Sequence, residues 1–273
     1  MDIIYVFASV KNTKSTKGNL GDLFGYTLIE YLSNEYNIKV KRLGINDNIK
    51  KNTIAIVGSI CHLCNIKSVN NKITIIGCGM IKNDNIKWNN KNIKWVGVRG
   101  PKTLEKINIP CRIISDPGLL ISDIFKIKNC NNKKSIGYII HSVDRDKFFK
   151  LFPEKRQYLI NNYSNYEEFI DELSQYEKVI SSSLHGIIFC HSYSIPVCSI
   201  KVTDKIIGNE FKFIDYYHSI GYKNYKKRHL INNDTNFEKL VNSEWQPDKK
   251  IITKFKELQK NIIINEIKQM INK

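Results

Sequence analysis

The sequence predicts an α/β fold of two doubly wound parallel sheets facing each other across a cleft. Three observations lead there. Short β-rich runs alternate with helical segments from Ile3 to Ile200, the order expected of parallel strands joined by crossover helices. The first run, Ile3–Ala8 (IIYVFA), is apolar throughout, as a strand buried on both faces requires. The alternation also stops at the polar stretch KNCNNKK, Lys128–Lys134, and then starts again. The expected units are therefore a first domain over 1–127, a second over 135–247 and a terminal helix over 248–273.

Taken in order, Ile3–Ala8 gives way to a polar loop ending in Gly18-Asn19-Leu20-Gly21-Asp22. Leu23, Tyr26, Leu28, Ile29 and Leu32 then recur at helical spacing. Such a turn is either a plain strand-to-helix link or a place where helix N–H groups meet a ligand. Val40–Leu43, Thr53–Gly58 and Ile73–Gly77 are further strands, and the turns Gly58-Ser59-Ile60 and Gly77-Cys78-Gly79 let backbone approach a ligand. Trp95–Val98 leads into Arg99-Gly100-Pro101, with Pro101 opening a short helix to Lys106. Arg99 is then either a surface residue or a two-pronged clamp for carboxylate or phosphate at a strand end. Ile113–Asp116 ends another strand, with Asp116 read as a helix cap.

After the linker, Ser135–Ile140 is a strand carrying His141 at its end. Ser164-x-x-Glu167 has the form of a capping box for a helix through Phe169, Ile170 and Leu173. The stretch KVISSSLHGIIFCHSYSIPVCSI, Lys178–Ile200, follows: strand, serine turn, short apolar helix, and a second strand opened by Pro196. Ser181, Ser182 and Ser183 feed a helix start, which is an anion site by its free N–H groups and dipole. His185 in that first turn is either a packed imidazole or a functional one, and Gly186 beside it permits close approach. A long amphipathic helix from about Asp248 to Ile271 closes the chain, with Ile251, Phe255, Leu258, Ile262 and Ile263 as its apolar stripe.

The net charge of +17 suits an anionic small molecule, an acidic surface or nucleic acid. Basic residues are spread along the chain, densest at Lys223–His229, and no nucleic-acid recognition pattern is present, so none is expected as a partner. Seven cysteines at irregular spacing make no disulfide framework. Cys61-His-Leu-Cys64 has no second C-x-x-C to complete a zinc site and reads as buried thiols. No metal is expected. Ile3–Val10 lacks the basic lead of a signal peptide, and no apolar run reaches the roughly 20 residues of a membrane span. A cytoplasmic protein is expected.

The residues SSSLHG, followed by a small apolar helix and I-P-V, resemble the C-terminal signature S-x-R/S-L-H-G of the polysaccharide pyruvyl transferase family. NEFKFIDYYHSIG (Asn209–Gly221) and IHSVD at His141 resemble the branch containing exopolysaccharide ketal pyruvyl transferases. GNLGD, VRGP at Arg99 and SDPGLL at Asp116 resemble the family's other turns. The resemblance runs from Gly18 to Gly221 and implies two Rossmann-like domains in a GT-B-like arrangement, the terminal helix crossing back to the first domain.

It also implies ketal formation between phosphoenolpyruvate, the donor substrate, and a sugar or glycan, with no cofactor. That chemistry wants a general acid for the enol carbon and cations for the donor's carboxylate and phosphate. His185 is expected as the acid, with an imidazolium stabilised by the anionic donor, and His141 as a second acid–base group. Arg99 is expected to grip the donor. Ser181, Ser182, Ser183 and Gly186, with Asn19, Gly21, Asp22, Gly58 and Ser59 from the first half, are expected to bind substrate, Lys212 and Asp215 to shape the pocket. Many family members have Arg two residues before the motif histidine, where this chain has Ser183. Arg99, Lys212 or Arg145 must then compensate, or the donor differs. A glycosyltransferase using a nucleotide-sugar and a non-catalytic basic binding protein are the alternative readings. A lipid-linked acceptor would bring peripheral membrane contact.

Overall fold

A computed structural model of the chain describes residues 2–11, 19–68, 70–88, 91–128, 130 and 132–272. Gly18, Asn129 and Asn131, part of the turn and linker read above, lie outside the described residues.

The first sheet contains β1 (Ile3–Phe7), β2 (Lys39–Leu43), β3 (Thr53–Ala55), β4 (Ile73–Cys78), β5 (Ile93–Val98) and β6 (Arg112–Ile113). They pair in parallel in the order β2-β1-β3-β4-β5-β6. The second has β7 (Lys134–Ile139), β8 (Tyr176–Ser181), β9 (Val197–Lys201) and β10 (His229–Leu230), parallel in the order β7-β8-β9-β10. Leu159 adds a parallel bridge to Tyr138. Because β8 takes one side of β7, that bridge lies along the other. Both halves thus reverse direction beside their first strand, and at such a switch point the loops leaving adjacent strands diverge and open a crevice.

The helices are α1 (Leu20–Ser33), α2 (Cys61–Lys67), α3 (Pro101–Ile107), α4 (Ile121–Ile124), α5 (Ser142–Leu151), α6 (Tyr166–Ser174), α7 (Leu184–Ser192), α8 (Phe211–Ser219), α9 (Phe237–Ser243) and α10 (Lys249–Ile271). One apolar core is continuous across the halves: Ile4, Leu20 and Phe24 pack with Ile139, Ile187, Phe189 and Tyr216. Phe24 of α1 meets Phe189 of α7 edge-on at 5.7 Å, a pair contributing roughly 1 kcal/mol beyond its buried area. The outer faces of the two sheets have cores of their own. Cys61 and Cys64 are free, buried thiols in the first of these.

One local expectation is corrected and one is extended. The cap of α6 is Asn165, whose side chain accepts from Glu168 N–H at 2.8 Å, and not Ser164 with Glu167. Asn caps as well as Ser, and the Ser164 hydroxyl is engaged with the Asn161 carbonyl at 2.8 Å. The buried line of α10 is Ile252, Gln259, Ile263, Glu266 and Ile267, with Ile251, Phe255, Leu258 and Ile262 on its flanks. Two polar side chains belong to that line because the first half offers them partners. Gln259 donates to the Ile114 carbonyl at 2.6 Å, and Glu266 pairs with Lys94 at 2.5 Å.

Candidate active site

The carboxyl ends of the two sheets meet at a pocket of about 270 Å³. The first half contributes Asn19, Asp22 and Ser59, and the second contributes His141, Ser183, His185 and Lys212. All but Lys212 follow β1, β3, β7 and β8, the strands that flank the two switch points; Lys212 comes from the start of α8, after β9. Ile60, Ile81, Leu184 and Ile206 line the same pocket, and Val143 and Ile207, 40% and 66% exposed, sit at its mouth.

The serine turn is built by its own hydrogen bonds. Ser181 Oγ lies 3.0 Å from the Ile139 carbonyl and accepts from Ser183 N–H at 3.0 Å. Ser182 Oγ accepts from His141 N–H at 3.1 Å, and Ser182 N–H donates to Ile139. Both hydroxyls are fully buried and tie the ends of β7 and β8 together. Ser183 caps α7 through Gly186 N–H and lines the pocket. A Cβ on Gly186 would stand 2.7 Å from Ile139 and from Ser181 Oγ, so only glycine lets α7 start this close to β7.

His185 emerges from that turn and lies against the first half. A Cβ on Gly21 would fall 1.9 Å from its Nδ1, so the imidazole rests on the bare backbone of α1. Its Nε2 is buried without a partner among the described residues and faces Asp116 Oδ2 at 4.0 Å. Burial, then the charges of Arg99, Lys212 and His141, push His185 down to about 3, so the ring is neutral in the empty pocket. His141 is pushed down to about 4, by burial first and then Lys212. Its Nδ1 accepts from Val143 N–H at 3.4 Å, which leaves the neutral ring's proton on Nε2.

Arg99 does not line the pocket. It is fully buried, with Nε 3.1 Å from Asp215 Oδ2, one Nη 2.7 Å from Ser59 Oγ and the other 3.0 Å from the Met80 carbonyl. Asp215 in turn accepts from Thr103 N–H at 2.9 Å and from its hydroxyl at 2.7 Å. Arg99 and Asp215 therefore join the halves, and Arg99 reaches the pocket only through Ser59. Gly58, with φ +102°, shapes the turn behind Ser59. Arg145 bonds Ile140, Asn161 and Asn162.

Among the described residues the Lys212 ammonium has no hydrogen bond or ion pair. It lies 5.7 Å from the Phe213 ring. Burial brings Lys212 down to about 8, and Asp22 opposes that; Asp22 itself is pushed up to about 6 by burial. Of the three cations named as substitutes at Ser183, Lys212 is the one lining the pocket with an uncommitted head group. Lys205, Ile81, Val143 and Ile207 were not anticipated. In a chain so rich in Lys and Ile no local pattern marks them.

Sequence comparison supplies the family. The model of the polysaccharide pyruvyl transferase family matches residues 19–204. The chain belongs to the polysaccharide pyruvyl transferase family. The match spans Asn19, Ser59, Arg99, Asp116, His141 and His185, whereas Lys205 and Lys212 of the pocket lie beyond it. Membership supports a pyruvyl-transfer role on polysaccharide. The chain is also 28% identical over 253 residues to an uncharacterized protein of Acanthamoeba polyphaga mimivirus, covering 88% of this chain and 83% of that one. No solved structure gives a significant match. Among the described residues no helix is long and apolar enough to cross a membrane.

Proposed function

We propose that this family member transfers the pyruvyl group of phosphoenolpyruvate to two hydroxyls of one sugar, forming a cyclic ketal in glycan synthesis. The observation that supports it most is the pairing, in one pocket, of an uncommitted ammonium (Lys212) with two neutral imidazoles (His141, His185) beside the start of α7. A donor carrying a carboxylate and a phosphate suits an ammonium beside a helix start. At about 270 Å³ the pocket is at the small end of ligand sites, fitting a small donor plus part of one sugar ring.

The donor would recruit its own acid. Raising His185 from about 3 to about 7 requires roughly 5 kcal/mol. A phosphate and a carboxylate at about 4 Å supply roughly 4 kcal/mol per charge at an effective dielectric of 20. The imidazolium then gives its proton to the donor's methylene carbon, and the electron-poor centre at C2 takes the first sugar hydroxyl. That hydroxyl's proton returns to the imidazole. The C2–O bond to phosphate breaks, the second hydroxyl closes the ring, and its proton leaves with the phosphate. Lys212 and His141 Nε2–H would hold the phosphate, with Arg99 adding its charge through Ser59. No oxidation state changes, so the scheme calls for no redox carrier.

The test is phosphate release from phosphoenolpyruvate over a panel of hexose and N-acetylhexosamine acceptors, with wild type and His185→Ala. Acceptor-dependent release that the substitution abolishes in a folded variant is the expected result. If phosphoenolpyruvate neither reacts nor raises the melting temperature while a nucleotide-sugar does, the reading is overturned.

A further inference from the structure

Asp116 and His185 pose a problem for each other. Asp116 is fully buried on the first half, His185 is nearly so on the second, and Oδ2 and Nε2 face one another at 4.0 Å. Among the described residues neither atom has another partner. Buried polar atoms are almost always satisfied, and two orphans facing each other at the edge of the pocket ask for a second state in which they bond.

The two groups are not equally free to move. Asp116 is pinned, because its other oxygen accepts from Gly118 N–H at 2.9 Å. The backbone before it is also fixed, with Ser115 at φ +62° and hydrogen-bonded to Ser219 of α8. His185 rests against the Gly21 backbone, with the Phe189 ring 6.1 Å away at 28°. Nε2 is its buried ring nitrogen and His185 lines the pocket, which leaves Nδ1 as the nitrogen for the donor.

We infer that Asp116 is the positioning residue for His185, accepting a hydrogen bond from Nε2–H when the ring is charged and so presenting Nδ1–H to the donor. This rests on the reading of His185 as the acid. A shift of about 1 Å brings the pair within hydrogen-bond distance. When Nδ1–H protonates the methylene carbon, the N–H bond breaks, the C–H bond forms, and the neutral ring keeps its remaining proton on Nε2 against Asp116. The freed Nδ1 lone pair is then directed at the sugar hydroxyl. The groups facing His185 are Arg99, Lys212 and His141, all opposing its charge, and Asp116. Those acting on Asp116 include Arg99 and Asp215, and burial pushes it up to about 6. Asp116 is thus the anion placed to offset that cationic surround.

Asp116→Asn separates this role from capping, because the amide oxygen still accepts from Gly118 N–H. With histidine ring nitrogens labelled, the His185 titration is followed by NMR in protein saturated with phosphoenolpyruvate and no acceptor. Asn at 116 should lower the His185 pKa by about one to two units. In turnover it should cut kcat about 100-fold with a more acid optimum, leaving KM for phosphoenolpyruvate within about threefold. Identical titrations in the two proteins overturn the inference, whether or not a sugar acceptor has been found. Failure of every sugar in the panel bears on the acceptor alone, and the titration, which needs only phosphoenolpyruvate, still decides Asp116. Should the variant not fold, wild type decides: a downfield ring-proton signal on phosphoenolpyruvate binding, missing in His185→Ala, is expected, and its absence refutes the pairing.

Discussion

Gly21→Ala is the most discriminating single substitution, because its effect on activity and its effect on stability should separate. Gly21 lies in the first turn of α1, where alanine is favoured by up to about 1 kcal/mol. Its Cβ would fall 1.9 Å from His185 Nδ1 and 2.1 Å from Cγ. Ordinary contact needs about 3.5 Å, so the ring must retreat by roughly 1.5 Å. Phe189 and Asp116 stand close to the ring, so the retreat carries Nδ1 out of line. Overpacking of this kind costs about 1–3 kcal/mol, part of it recovered by helix propensity. Melting should therefore fall by only a few degrees. A catalytic group displaced by about 1 Å loses on the order of 100-fold in rate. The assay is acceptor-dependent phosphate release beside thermal melting, with the double variant Gly21→Ala/His185→Ala included. The double variant should be no slower than His185→Ala alone, since both act on one ring. Gly21→Ala turnover within about threefold of wild type would refute the reasoning.

Three further outcomes follow from the same geometry. Lys212→Ala should weaken phosphoenolpyruvate binding by about 2 kcal/mol, roughly 30-fold in Kd by calorimetry, because it removes an uncommitted ammonium held out of bulk water; an unchanged Kd would remove Lys212 from the donor site. Asp215→Asn leaves Arg99 buried without its counter-charge, a loss of about 3–5 kcal/mol, seen as a melting point lower by about 10 °C; a fall of under 2 °C would refute the pairing's structural role. Stability should also drop from pH 7 to pH 5. His185 and His191, held down to about 3, and His141, held down to about 4, take up protons only on unfolding below pH 6.5. Each therefore costs about 2 kcal/mol at pH 5. Asp22 and Asp116, raised to about 6, bind protons in the folded state and return roughly 1–2 kcal/mol each. The net loss is about 3 kcal/mol, read from urea midpoints at the two pH values, and an unchanged or higher midpoint at pH 5 contradicts it.

The cap of α6 shows how far local reading goes. A serine and a glutamate at the right spacing pointed to one residue, and Asn165, with equal capping power, took the place one position on. The stripe of α10 shows the same limit. Its hydrophobic period was legible, but Gln259 and Glu266 face inward because Ile114 and Lys94 wait there, and no neighbour in sequence records that.

What the sequence determined by itself was local: the β/α alternation, the start of α3 at Pro101, and the serine turn that sets His185 in the first turn of α7. These depend on periodicity, caps and turn chemistry within a few residues, so a short window contains their cause. Only the tertiary structure decided which of those features share a pocket. Arg99 looked like a donor clamp until Asp215, 116 positions later in the chain, was found to occupy its guanidinium. Asp116 read as a cap, and it is one, but its second oxygen looks across the interface at His185. Both outcomes depend on how the two sheets dock through their shared apolar core, where contact is set by packing and not by sequence separation.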